Sequence, residues 1–575
     1  MLLAMGLFVA KIWVVTPPWF KIRIRISGLD YVQAMALHRA AEANAIAGKL
    51  DESVAAWNRA IANNQGDKEL YRGFLRTLVA APQVRKEHLP WAVSQGYTLL
   101  ALSQTNTGDL ELLSSYLRRM DLFSSVSSLL QPHAAELSPA GIRLYAEALF
   151  LTDNTATYSD FFQKHQGILT NDPAAKLIHT AWNCFWGPPG GLSSSRQLLD
   201  SARTDPELKN LACKLQLRVS RAIPDIPGYR SALNQLVELH SDKVIDHVNL
   251  WLLLIDAGQT KEAAELAHGF SHPPENAEET VRLVATLDKL GMTSYGLEVI
   301  SRKLTESHGE SQLWIAKAEL LRKLLRWKEL QELSVAMRAE RRLGKRIGGY
   351  SYYLEGEADQ NLGNAEAARL SFERSLEEPF PTATLVLRAA VTLRSLGYPK
   401  LSADLLQKNE EAFTSRTDFW FELARAAYDE KDPELLERAT RRMYELAPNN
   451  LMAINNYAAA LLANRSKADE AIKLTLRVIT EFPDRVDARL NHALALVLNR
   501  RVADASETLS RIKPEALGNL ETTIFHYVGF EIGVQRNQPG QAKLEAAKID
   551  RHFLQPAQVR FLEENLKKFE PPPTE

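Results

Sequence analysis

Along most of the chain apolar residues recur at intervals of three and four, the spacing that lines one face of an α-helix. The pattern is clearest between Tyr350 and Pro514. There the segment YSYYLEGEADQNLGNAEAARLSFERSLEEPFP holds two amphipathic stretches, punctuated by Tyr352, Gly356, Gly363, Ala368, Phe372 and Pro381. The next turn glycine, Gly397 in LRSLGYPKLSADLL, lies 397 − 363 = 34 residues on. A third unit, WFELARAAYDEKDPELLERATRRMYELAPNN, carries Trp420, Leu423, Ala424 and Leu436 and closes on Pro448. A fourth, INNYAAALLANRSKADEAIKLTLRVITEFPD, closes on Pro483, 483 − 448 = 35 residues later, and a fifth runs from Arg489 to Pro514. Strand-like alternation is confined to the short KIRIRI stretch (21–26).

Each punctuating residue has a physical task. A small residue in the first helix, such as Ala424 or Ala459, lets the second helix approach closely. Gly363 and Gly397 end the first helix with backbones free to take positive φ. A large side chain such as Phe372 fills the gap between helices, and the closing proline stops the second helix. One such pair cannot bury its apolar face alone, so pairs must stack.

Helix-turn-helix units of about 34 residues with these signatures resemble the tetratricopeptide repeat. The resemblance is good over 345–515. It is weaker in AMALHRAAEANAIAGKLDESVAAWNRAIANN, where Gly48, Leu50, Trp57 and Ala60 keep the spacing, and around Gly108 and Gly258. The expected fold is therefore all-α, an α-solenoid of stacked pairs. Five segments follow: 1–26 apolar at the N-terminus, 27–187 and 188–344 with degenerate repeats, 345–515 well patterned, and 516–575 with a last repeat and the capping helix LQPAQVRFLEENLKKFE. Between 120 and 245 the register fades. The Pro-Gly-Ser stretch Trp186–Ser195 reads there as a loop and a soft boundary.

The resemblance implies a non-catalytic scaffold whose first helices line a groove for a protein or peptide ligand. The side chains it would place there are Tyr350, Tyr353, Glu357, Arg394, Phe421, Arg425 and Asn456. Aromatic residues and arginine are the types that dominate interface energetics. The set lacks the lysine–asparagine clamp that some relatives use for C-terminal carboxylates.

At the front, Leu2 to Val15 is apolar except for Lys11, and Trp19-Phe20 follow beside Lys21, Arg23 and Arg25. Aromatic and basic residues beside an apolar run are the pattern of a membrane-interface border. This predicts an anchor to a bacterial inner membrane, with the side of the body open; the bacterial element rests on the family look of NNYAAALLANR. The alternative is a buried first helix in a soluble, cytoplasmic adaptor.

The bulk numbers narrow the rest. Of 575 residues, 45% are hydrophobic and 24% charged, an ordinary folded balance; Lys+Arg 69 against Asp+Glu 70 gives a net charge of −1, without the basic excess of a nucleic-acid reader. The basic stretch at Arg338, Arg341, Arg342, Lys345 and Arg346 reads as a solvated loop. Cys184 and Cys213 read as single buried thiols. The thirteen histidines form no helical metal pair, and His492 and His526 read as packed residues. No nucleophile elbow, phosphate loop or dinucleotide fingerprint occurs, so no catalytic residue, cofactor or metal is expected. A third reading, a helical-repeat enzyme subunit with its site between 120 and 245, stays open beside the scaffold and the soluble adaptor.

Overall fold

Serine, threonine, aspartate and asparagine side chains start several of the helices by accepting hydrogen bonds from otherwise orphaned backbone amides. In the computed structural model, which describes residues 8–81, 86–152, 154–187, 191–343 and 345–570, Thr382 caps Leu385, Asp432 caps Glu434 and Leu435, and Asn450 caps Met452 and Ala453. Pro399, Pro433 and Pro539 then stand in the first helical turn, where a missing N–H costs nothing.

The chain divides into two compact units, Met1–Phe270 and Ser271–Glu575. The second unit is a regular series of helix pairs: Ala277–Lys289 with Thr293–Glu306, Ser311–Lys323 with Trp327–Ala339, Gly348–Asn361 with Ala365–Ser375, Ala383–Ser395 with Pro399–Lys408, Thr417–Glu430 with Pro433–Leu446, Leu451–Ala463 with Ala468–Glu481, Val486–Leu498 with Val502–Ser510, and Asn519–Gln535 with Pro539–Ala546. Pro556–Lys568 follows them. Helices within each pair pack against one another, and each pair packs on the next.

One backbone position defines every turn between the two helices of a pair. In the second unit, a residue with left-handed backbone stands at 291, 325, 363, 397, 431, 465, 500 and 537. Three of these are Gly291, Gly363 and Gly397; the others are Leu325, Lys431, Arg465, Arg500 and Asn537, with φ between 53° and 62°. The small positions also act as the pattern required. A Cβ on Gly356 would lie 2.5 Å from the Phe372 ring, so the first and second helices meet there at backbone distance. Ser402 Oγ donates to the Ala390 carbonyl at 2.8 Å, crossing the same kind of contact. Phe372, Ala368, Leu423 and Leu461 are fully buried.

The first unit is irregular. Its helices range from Gln166–Leu169 to Gly28–Ile46. Between 120 and 245 the core is aromatic: Tyr145, Phe150, Tyr158, Phe161 and Phe162 are buried, with His179 stacked between Phe162 (3.7 Å) and Trp182 (5.3 Å). Large rings replace the small residues that mark the repeat, which is why the register fades in the sequence. Residues 191–195 of the expected Pro-Gly-Ser loop open the helix Gly191–Ala202, with Ser195 buried; Pro188 lies outside the described residues.

The membrane anchor is corrected. Trp13–Val14 pairs antiparallel with Arg25–Ile26 in a two-stranded ribbon, which places the end of the apolar run in a hairpin. Its turn is held by the Arg23 guanidinium, which donates to the Pro17 and Pro18 carbonyls at 2.8 and 3.0 Å. Among the described residues no helix is long and apolar enough to cross a membrane; residues 1–7 of the run lie outside them.

Candidate functional site

The first helices of successive pairs in the second unit share a face bridged by charge. Glu319 sits at its centre: its carboxylate accepts from the Tyr350 hydroxyl at 2.8 Å and pairs with Arg388 at 2.7 Å and Arg322 at 3.1 Å. Arg322 also reaches the next helix, pairing with Glu357 at 2.7 Å. Further along, Arg394 spans to Asp429 (3.2 Å) and Glu422 (3.6 Å), while Arg425 pairs with Glu422 (3.1 Å) and lies 5.6 Å over the Phe421 ring. Beyond it, Asn455 donates to Asp487 and accepts from Asn491, each at 3.0 Å.

Burial sorts these residues into support and surface. Tyr350 and Tyr353 are 1% and 0% exposed and Glu357 is 5% exposed, so three of the seven residues expected in a groove lie inside the array. Burial, reinforced by the nearby carboxylates of Glu319 and Glu357, pushes both phenols well above the ordinary tyrosine range, so they stay neutral. Arg394 is mostly covered by its two carboxylates, and Phe421 is half-buried. Arg425 and Arg388 keep 45% of their side chains exposed. Asn456 is half-buried, and the asparagine bridging successive helices is its neighbour Asn455; one residue turns the side chain by about 100° around the helix.

The downstream part of this face holds polypeptide. Phe421, Arg425 and Tyr428 fall at i, i+4 and i+7 on one stripe of Thr417–Glu430. The Tyr428 hydroxyl donates to the Phe553 carbonyl at 2.6 Å, and Lys431 Nζ donates to the His552 carbonyl at 2.8 Å. Gln555 Nε2 donates back to the Tyr428 carbonyl at 3.1 Å. Arg465, from the following turn, lies 3.6 Å over the Phe561 ring and pairs with the fully buried Glu531. The chain's own C-terminal segment is thus seated on its first-helix face by main-chain hydrogen bonds and a stacked guanidinium.

This is an α-solenoid of tetratricopeptide-like helix pairs. No family model matches the sequence, and no curated protein matches it. Solved structures similar to the array include a tetratricopeptide repeat protein from Parabacteroides merdae, 13% identical over 48% of this chain and 99% of that one, with a TM-score of 0.30. The APC/C hetero-tetramer Cut9-Hcn1 is 11% identical over 89% and 96%, at 0.27. The pentatricopeptide repeat protein PPR10 from maize is 10% identical over 93% and 86%, at 0.34. At such identities and scores these matches add no weight, and the fold stands on the helix pairs themselves.

Cys184 and Cys213 are buried free thiols. His492 Nδ1 lies 3.0 Å from Thr475 Oγ1, and His526 pairs with Glu545 at 2.7 Å, both as packed residues. Arg338 of the basic stretch turns inward to pair with Glu355 at 2.8 Å, whereas Arg341, Arg342 and Lys345 are exposed. Among the described residues no group of three or more His, Cys, Asp or Glu side chains converges as metal ligands would. Sequence reading missed Glu319, Arg322, Arg388, Tyr428, Lys431 and Arg465. The signal for Glu319 was present: it stands 325 − 319 = 6 residues before its turn residue, as Glu357 stands 363 − 357 = 6 before its own. Leu325 in the turn hid that register.

Proposed function

We propose that the protein is a binding scaffold whose first-helix face in the second unit takes up a segment of a partner protein. The observation that carries this reading is the seating of residues 552–555 on the same face. Tyr428 and Lys431 grip backbone carbonyls there, a mode indifferent to the sequence they hold, and Arg465 adds an aromatic contact. Immediately upstream on that stripe, Phe421 and Arg425 continue towards Arg394 and Arg388. These are side chains suited to an extended or helical segment carrying aromatic and carboxylate groups. Tyr350, Tyr353 and Glu357 hold Arg322 and Glu319 in place beneath it.

The test is capture of interacting proteins from native extract by crosslinking, followed by binding of the recovered partner in purified form. The intact chain is compared with a triple variant, Arg388→Ala, Phe421→Ala and Arg425→Ala, whose melting profile is checked first. Recovery of one partner by the intact chain, with at least tenfold weaker purified binding to the variant, supports the reading. The same partner held equally by both would sink it.

A further inference from the structure

The turn positions give a register for comparing neighbouring pairs. Leu325 and Gly363 are the left-handed turn residues of Ser311–Ala339 and Gly348–Ser375. Counting back from each turn, Trp314 corresponds to Tyr352 (325 − 314 = 11, 363 − 352 = 11) and Lys317 to Glu355 (325 − 317 = 8, 363 − 355 = 8). Counting forward from the preceding turns, Arg338 corresponds to Leu304 (338 − 325 = 13, 304 − 291 = 13).

In the later pair this constellation is closed. Arg338 pairs with Glu355 at 2.8 Å and its guanidinium lies 4.3 Å over the Tyr352 ring. One pair earlier the same positions carry Leu304, Trp314 and Lys317. The aromatic ring is kept, but the charged partner has become an aliphatic one. Lys317 is half-buried and has no ion pair or hydrogen bond among the described residues. Burial draws its pKa below the ordinary lysine range and Arg326 adds to that, with Glu329 acting in the opposite sense. A half-buried ammonium with no hydrogen-bonded partner carries a desolvation cost that an external anion seated directly on it would offset.

Where the later pair has its ion pair, this one has a cleft of about 320 Å³. Its walls come from three helices: Leu304 from the first, Trp314, Lys317 and Leu321 from the second, Leu333 from the third. The leucines and Trp314 are less than a tenth exposed, and the indole N–H is already committed to the His308 carbonyl at 2.8 Å, leaving an apolar surface. Glu329 and Glu332 also line the cleft. Their charges oppose an anion anywhere in the cleft except directly on the Lys317 ammonium, and so disfavour a doubly charged occupant most.

We propose that this cleft binds an apolar monocarboxylate, its carboxylate on Lys317 Nζ and its tail against Leu304, Leu321, Leu333 and Trp314. The volume is at the lower end of ligand pockets, so the ligand is small. The chemistry fits either a free short-chain acid or the carboxyl terminus of a chain ending in an apolar residue. It is separate from the first-helix face and stands or falls without it.

The experiment is calorimetric titration of the full-length protein with octanoate and with N-acetyl-leucine, each beside its neutral amide. One acid binds at least tenfold more tightly than its amide. Lys317→Met removes that preference while helical signal and melting are retained. Ala336→Trp, which fills the cleft from an exposed position and leaves the lysine in place, weakens binding independently. Octanoate alone binding identifies a free acid as the occupant; N-acetyl-leucine alone identifies a chain terminus. Equal affinity for acid and amide, an unchanged acid preference in both variants, or no binding of either acid at about 10 mM overturns the proposal.

Discussion

A left-handed backbone costs an L-residue with a Cβ roughly 1–2 kcal/mol, and glycine escapes that cost. Leu325 occupies such a turn at φ 55° with 67% of its surface exposed. Leu325→Gly should therefore stabilise the protein by about 0.5–1 kcal/mol, the gain being reduced by glycine's greater freedom when unfolded. Gly363→Ala, at φ 87°, should cost about 1 kcal/mol. Urea midpoints that move in these opposite directions at constant m-value would show that the turn backbone, and not a side-chain contact, sets both effects. Lys431 and Arg465 occupy the same strained position, yet their side chains hold the C-terminal segment and the buried Glu531 of Asn519–Gln535. Five non-glycine turn residues also explain what the sequence concealed. A pattern sought through turn glycines finds 363 and 397 and passes over 325, 431, 465, 500 and 537.

Helix pairing was legible because it is local: amphipathic spacing, caps and small residues all act within about 35 residues, as Gly356 against Phe372 shows. A helix at the C-terminal end was legible by the same reasoning. Where it docks was not, because Tyr428 meets Phe553 across 125 positions and no local pattern encodes that contact. The groove residues fell between these cases. Position along the first helix named Tyr353 and Glu357, but only packing of neighbouring pairs shows that Arg322 and Glu319 cover them. At this scale the Arg465–Glu531 pair is the strongest lever on the cap. Arg465 joins a fully buried carboxylate and the Tyr527 hydroxyl to the ring of Phe561. Arg465→Met leaves Glu531 buried without its cation and should cost roughly 3–5 kcal/mol. Hydrogen exchange is expected to rise first in 551–568, before the core of Thr417–Glu430 opens. Uniform loss of protection along the second unit would show that the cap is not a separate cooperative element.

Across the whole molecule, acid should act on both units through buried imidazoles. Burial holds the pKa values of His165 and His179 in the first unit, and of His492 in the second, below the ordinary histidine value. His179 is stacked between Phe162 and Trp182, and the His492 ring is committed to Thr475, so neither site suits an imidazolium. The unfolded chain then binds protons at a higher pH than the folded one, and stability falls as pH drops through about 6.5 towards the lower folded values. Carboxylates held below their ordinary range by partner charges, such as Asp121 beside Lys214 and Lys243 and Glu437 beside Lys467, add a further loss only below about pH 4–5. The two windows are separable. Urea midpoints followed by near-ultraviolet signal should decline between pH 7.5 and 5.5, and His179→Phe, which keeps the stack but cannot titrate, should flatten the decline arising in the first unit. Since the units need not unfold together, hydrogen exchange assigned to 173–186 and to 486–498 reads the two contributions apart. A midpoint that holds constant or rises on acidification would mean that the imidazoles reach water in the folded state, and that the aromatic core around His179 is looser than its stacked rings imply.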